Sequence, residues 1–121
     1  MPLILAAALG ACGRAASGIE GRWQGQSEAA VEYEMSLSES GGVVTGTGTY
    51  TISGPRPTGS FQVRGTFSAP AVTLRITHDS GTEVTFNGTL ETSSELVGNL
   101  TYTVRSGEIR SEAMTFFKIV R

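Results

Sequence analysis

The most reactive side chains in this sequence are a single histidine, His78, and a single cysteine, Cys12. Nucleophilic catalysis needs a base beside a nucleophile, and a zinc site needs three or four ligands at suitable spacing. One histidine and one cysteine supply neither. The acidic pair Glu32 and Glu34 flanks Tyr33 on an alternating segment, which places both carboxylates on a solvated face. The sequence therefore predicts a protein that is not an enzyme and that uses no metal ion and no cofactor.

The aromatic residues offer a different kind of chemistry. The chain contains three tyrosines, Tyr33, Tyr50 and Tyr102, and one tryptophan, Trp23. A tyrosine combines a large apolar ring with a polar hydroxyl, so a group of them can contact a small molecule and also orient it. Together with His78, these residues are the candidate ligand-binding residues if the fold brings them together.

The elements that must position these residues are β-strands. From Ile19 onward apolar and polar residues alternate with a period of two, and no stretch keeps the spacing of a helix. Clusters of glycine, proline and serine divide the alternation into short segments. The eight predicted strands are 19–26, 31–39, 43–53, 60–68, 71–79, 82–91, 95–104 and 112–120. Short links between successive strands predict an antiparallel up-and-down meander.

The alternation also predicts which side chains face inward. The third strand is expected to turn Tyr50 and Ile52 inward. The last strand fits either parity, and Phe117 and Ile119 are the preferred inward residues because the opposite parity would bury Lys118.

A three-residue motif of glycine, a polar residue and a large apolar residue recurs along the strands, as in Gly48-Thr49-Tyr50 and Gly65-Thr66-Phe67. The glycine and the apolar residue share one face of a strand, and glycine inside a strand commonly marks a sharp bend. Its repetition predicts a sheet that coils tightly and closes. The predicted fold is all-β, an eight-stranded antiparallel barrel with an apolar interior.

Alternation alone also fits an outer-membrane barrel, which is apolar outside and polar inside. Two observations favour a soluble barrel. The glycines lie on the apolar face, where a tight core needs space, and the opposite face carries charges of both signs and many hydroxyl groups. The net charge of −2 with no basic stripe gives no reason to expect nucleic acid as a partner.

Alternate loops of a meander lie at the same end of the sheet. The longer predicted loops share one end, which we call the long-loop mouth, and the inward residues nearest to it are the three tyrosines and His78. Binding sites often occupy the mouths of barrels, although these side chains could equally cap the core where it meets water. The loops at the long-loop mouth are 27–30, 54–59, 79–81 and 105–111.

The N-terminal residues form a separate region. Residues 1–11 are mostly apolar and fit the hydrophobic part of a secretory signal, which is too short to span a bilayer. Leu9-Gly10-Ala11-Cys12 resembles the lipobox of bacterial lipoproteins, although no lysine or arginine precedes the apolar run. The resemblance implies a lipid on Cys12, membrane attachment only through that lipid, and a position in the bacterial cell envelope facing the periplasm or exterior. Residues 12–18 would then be a spacer, and 19–121 the barrel domain.

Gly21-x-Trp23 followed by the meander resembles the avidin and lipocalin superfamily of ligand-binding barrels. A single tryptophan departs from the avidins, whose biotin pocket is lined by several. The resemblance implies a barrel that binds a small apolar molecule, or a partner protein of the envelope, at the long-loop mouth. The alternative is a fully packed structural or protease-inhibitor-like module with no internal ligand.

Overall fold

The barrel fold predicted from the alternation is confirmed by the computed structural model, which describes residues 18–119. Neighbouring strands in sequence pair antiparallel, and the first strand also pairs with the last, so the sheet closes on itself. The signal-like segment 1–11 and Cys12 lie outside the described residues. The strands are β1 (Gly21–Gln26), β2 (Glu32–Ser40), β3 (Val43–Thr51), β4 (Gly59–Ser68), β5 (Ala71–His78), β6 (Glu83–Thr92), β7 (Glu95–Thr103) and β8 (Ile109–Ile119).

The two ends of the barrel differ as the loop lengths predict. At the tight end, Gly41 and Gly42 connect β2 and β3 with φ values of 59° and 88°. Both values lie in the left-handed region, which glycine reaches without a steric penalty and which a two-residue hairpin requires. The Ala69–Pro70 peptide, which is cis, makes another tight connection. The longer connections, 27–31, 52–58, 79–82 and 104–108, lie together at the long-loop mouth.

Apolar side chains fill the interior, as the alternation predicts. Trp23, Leu74 and Phe86 are fully buried, while alternating polar residues of the same strands, such as Gln24, Thr73 and Asn87, are exposed. Burying each large apolar side chain contributes about 1.5–3 kcal/mol relative to exposure. The inward row of each strand therefore supplies the main stabilisation of the fold.

Inward-facing glycines allow the strands to approach one another. A Cβ atom built on Gly65 would collide with the carbonyl oxygen of Thr73 on β5 and would lie 2.9 Å from the Cα of Leu74. Both obstacles are backbone atoms, so no side-chain rotation can relieve the collision. Glycine is therefore required where β4 bends against β5.

The preferred facing of the last strand is wrong. Phe116 and Met114 are buried, whereas Phe117 is 49% exposed and Ile119 is half-buried. This parity directs Lys118 inward, where its ammonium group has two partners. Nζ donates a hydrogen bond of 2.9 Å to the carbonyl oxygen of Gly18 and lies 5.1 Å from the centroid of the Trp23 ring.

The Lys118 contacts explain why a charged residue is tolerated on the inward face. Its aliphatic stem covers apolar surface, and the ammonium group finds a carbonyl and an aromatic face at the tight end of the barrel. Burial lowers the pKa of Lys118, against the opposing charge of Glu20.

Ile52, expected to face inward, is 59% exposed because β3 ends at Thr51. The chain turns back there through two short hydrogen bonds. The amide of Thr58 donates to the carbonyl of Tyr50 at 2.7 Å, and the amide of Ile52 donates to the hydroxyl of Thr58 at 2.9 Å. The loop thus interrupts the alternation before it reaches Ile52.

Candidate functional site at the long-loop mouth

Four rings meet at the long-loop mouth, and we call Tyr33, Tyr50, Phe61 and His78 the aromatic cluster. The His78 ring stacks on Tyr33 at a centroid distance of 6.1 Å and an interplanar angle of 13°, and lies 4.4 Å from the Tyr50 ring. Phe61 approaches the His78 ring edge-on at 6.0 Å. The sequence prediction that Tyr33, Tyr50 and His78 converge therefore agrees with their positions in the structure.

Strand register explains this convergence. Tyr33 and Tyr50 are direct partners across β2 and β3, and Phe61 and His78 are direct partners across β4 and β5. Side chains opposite one another on one face of an antiparallel pair lie within contact distance. Two adjacent cross-strand pairs thus place four rings side by side.

Asp79 fixes one side of the aromatic cluster. Its carboxylate accepts a hydrogen bond of 3.2 Å from the Tyr50 hydroxyl and another of 3.1 Å from the backbone amide of Ser60. Burial, and next the hydrogen bond to Asp79, raises the pKa of Tyr50. The sequence pattern places Tyr50 and His78 at this end of the barrel, but it does not identify Asp79 as the hydrogen-bond partner of Tyr50.

Glu112 holds Tyr102 on the opposite side of the mouth. Its carboxylate accepts hydrogen bonds from the Tyr102 hydroxyl at 2.9 Å and from the amide of Ala29 at 3.2 Å. The hydrogen bond to Glu112 is the main reason that the pKa of Tyr102 is raised. The sequence pattern did not predict this contact, because the preferred parity of the last strand turned Glu112 outward.

The imidazole of His78 has an unmet hydrogen-bonding group. Its Nε2 atom is buried and has no hydrogen-bonding partner among residues 18–119. Burial lowers the pKa of His78, and the charge of Asp79 opposes this only in part. The ring is therefore neutral near pH 7, and within the described part of the chain its Nε2 lacks the partner that a buried polar atom normally has.

Tyr33 forms the floor of the mouth, and its ionisation should affect stability. Burial and then the charge of Glu112 raise the pKa of Tyr33 from 10.0 to about 12. In the unfolded chain Tyr33 loses its proton near pH 10, whereas in the folded chain the hydroxyl stays protonated up to about pH 12. The contribution of Tyr33 to the free energy of unfolding is thus fully present below pH 10 and is lost as the pH rises towards 12.

We expect Tyr33 to lower the free energy of unfolding by about 1 kcal/mol between pH 10 and pH 11. Urea unfolding at the two pH values measures the loss. A Tyr33→Phe variant removes the ionising group and should lose correspondingly less stability over the same interval. Equal losses in the two proteins would contradict the buried, protonated Tyr33.

The structure separates Trp23 from the other candidate residues. Trp23 is fully buried, and its indole nitrogen donates a hydrogen bond of 2.9 Å to the carbonyl of Ile19, before the start of β1. Lys118 covers its ring from β8. These contacts belong to the tight end, away from the long-loop mouth.

Two concavities, of about 730 and 700 Å³, lie on the outer wall of the barrel. Most of their lining side chains point away from the core. The larger is lined by outward residues such as Thr47 and Gln62 and reaches Phe61, His78 and Asp79 at the mouth. The smaller is lined by residues such as Gln24 and Phe117 and reaches Tyr33. Neither is a lumen that opens between the tyrosines, since the interior at that level is occupied by buried rings such as Phe61 and Phe116.

Within residues 18–119 no helix has the length and apolar character that crossing a bilayer requires. The same residues contain no group of three or more His, Cys, Asp or Glu side chains arranged to hold a metal ion.

Comparison with known proteins places the architecture. No protein-family model and no curated protein matches the chain. Among solved structures, the redesigned β-barrel b11L5F_LGL is 23% identical with a TM-score of 0.66, covering 89% of this chain and 96% of its own. The redesigned barrels mFAP1 and mFAP0, each bound to DFHBI, are 17% identical with TM-scores of 0.62 and 0.61. They cover 88% and 84% of this chain and 99% of their own. At these identities the likeness is one of fold: an eight-stranded antiparallel barrel similar to designed barrels that hold a small molecule.

Proposed function

We propose that this protein is a non-enzymatic binding protein that holds a small, largely apolar molecule against the aromatic cluster at the long-loop mouth. The observation that carries the proposal is the buried Nε2 of His78, which lies among stacked rings without a protein partner. An unsatisfied buried polar atom costs about 1–3 kcal/mol. A bound molecule that displaces one of the rings covering this atom and pairs with it through a polar group would remove this cost.

The packing of the barrel limits where such a molecule can lie. Phe116 is 6.4 Å from Tyr33 and 5.2 Å from Phe86, so aromatic side chains continue below the floor of the mouth. The molecule would therefore rest on Tyr33 between Tyr50 and Tyr102 rather than enter a deep lumen. The fold likeness to barrels bound to DFHBI supports small-molecule binding by a barrel of this size.

Titration with N-phenyl-1-naphthylamine, a neutral dye that brightens in apolar surroundings, tests the proposal. We expect saturable binding that weakens at least about tenfold in a Tyr50→Ala variant, because the ring wall beside His78 is lost. The matched control is Val97→Ala, which removes an exposed apolar side chain from the outer wall of β7. Binding that responds to Val97→Ala but not to Tyr50→Ala would move the site to the outer wall.

We also propose, from the resemblance of residues 9–12 to a lipobox, that the protein is lipid-anchored at Cys12 in the bacterial cell envelope. Several acyl chains together anchor a protein stably, whereas one gives marginal binding. Expression with the native upstream sequence in a bacterial host should yield a product whose mass shows acylated Cys12 at the N-terminus. An unmodified Cys12 in a product recovered from solution would contradict the anchor.

The alternative is a packed module that contacts an envelope protein through its loops or outer wall. The outer concavity of about 700 Å³ favours it, because Pro55, Pro57 and the half-exposed Phe117 line that concavity together. The dye titration separates the two functions, since a packed module would show no saturable binding that depends on Tyr50.

A further inference from the structure

We infer that the long-loop mouth selects an organic cation: a molecule with an aromatic or apolar body that carries an ammonium group. The inference rests on the proposed function and names the class of ligand for the same site. It depends on three observations: a carboxylate fixed beside the rings, an excess of negative charge around the mouth, and an unpartnered nitrogen among the rings.

The carboxylate of Asp79 is held in place without being neutralised. Its hydrogen bonds come from a tyrosine hydroxyl and a backbone amide, which orient the group but leave its charge. The salt bridges within residues 18–119 join Arg22 to Glu34 and Arg110 to Glu108, so no basic side chain there pairs with Asp79. The neighbouring His78 is neutral near pH 7, because burial lowers its pKa.

The loops and strand ends around the mouth carry more acidic than basic residues. Arg110, the arginine closest in register to Tyr102, already pairs with Glu108. Such an excess gives the mouth a negative potential that attracts cations. The acidic residues are Glu28, Glu32, Asp79, Glu83, Glu108 and Glu112, and the basic residues are Arg56, Arg105 and Arg110.

The rings supply the other half of a cation site. The Tyr50 and His78 rings are in contact next to the Asp79 carboxylate, with centroids 4.4 Å apart and planes tilted by 40°. A cation over a tyrosine face is attracted by the π electrons, more strongly where water is excluded. An ammonium N–H could donate to the buried Nε2 of His78 as well, once a ring that covers this atom is displaced. A neutral ligand of the same shape gains only the apolar contact.

The test compares 2-naphthylmethylamine, which is protonated at pH 7, with 2-naphthylmethanol, which has nearly the same size and no charge. Isothermal titration calorimetry gives the dissociation constant of each. We expect the amine to bind about tenfold more tightly than the alcohol. Asp79→Asn keeps a side chain that can still pair with Ser60 and Tyr50, and it should reduce the preference to less than about twofold.

Glu83→Gln is the matched control. Glu83 is exposed at the start of β6, so this variant removes one charge from the same end of the barrel without touching the rings. It should leave most of the preference for the amine. Equal affinity for amine and alcohol, or a preference unchanged by Asp79→Asn, would overturn the cation inference and leave the proposed function standing. Failure of both ligands to bind would overturn the two together.

Discussion

Replacing Gly65 with valine is expected to lower the free energy of unfolding by about 3 kcal/mol. The Cβ of any residue at this position would collide with the Thr73 carbonyl and the Cα of Leu74, so β4 and β5 must separate to admit it. Separation also weakens the hydrogen-bonded ladder between these strands. Urea denaturation measures the loss as a lower midpoint. The change is large against the roughly 5–15 kcal/mol that stabilises a typical domain.

The adjacent Thr66→Val variant is the control for this substitution. Thr66 is exposed on the outer face of β4, where a β-branched residue suits the strand. We expect its free energy of unfolding to change by less than about 0.5 kcal/mol. Equal stability of the two variants would show that Gly65 does not lie in the tight contact described here.

Phe116→Ala is expected to cost about 4 kcal/mol of stability, whereas Phe117→Ala should cost less than about 1 kcal/mol. Phe116 is fully buried and packs edge-on against Phe86 at a centroid distance of 5.2 Å, so its removal leaves a cavity. Phe117 is 49% exposed on the outer wall. Thermal or urea unfolding of the two alanine variants, measured side by side, checks the difference.

This pair of variants also decides the facing of β8, which the sequence did not resolve. A larger loss for Phe117→Ala would restore the opposite parity and turn Glu112 away from Tyr102. The result therefore bears on the mouth as well as on the core, because Glu112 and Phe116 occupy the same face of one strand.

Most of the fold follows from short-range patterns. A period of two determines the facing of β1 to β7 because each strand has one clearly apolar row. The period of two did not determine the facing of β8, because Phe116 and Phe117 place an aromatic residue on each face of this strand. The charge of Lys118 then favoured the wrong face as the buried one. The contacts that accept Lys118 come from Gly18 and Trp23, near the other end of the described chain. No local pattern reports such distant partners.

The candidate site, like the fold, was predictable only where short-range patterns place its residues. Parity and loop length together place Tyr33, Tyr50 and His78 at one end. The sequence did not identify Asp79 and Glu112 as the hydrogen-bond partners of Tyr50 and Tyr102, for different reasons. Asp79 lies in a loop, where alternation carries no information, and Glu112 lies on the strand with the misjudged parity. The unpartnered nitrogen of His78 depends on side-chain packing, which no sequence pattern specifies.

The closure of the barrel has a consequence for how the chain folds. Every ladder except one joins strands that are neighbours in sequence, whereas Arg22–Gly25 must find Phe116–Ile119 from almost the whole length of the described chain. Loop closure costs more entropy as the intervening chain lengthens, and non-local pairings slow folding. We therefore expect the β1–β8 seam to form last and to open first. An open seam would expose two bare edges, from which strand exchange between molecules could begin.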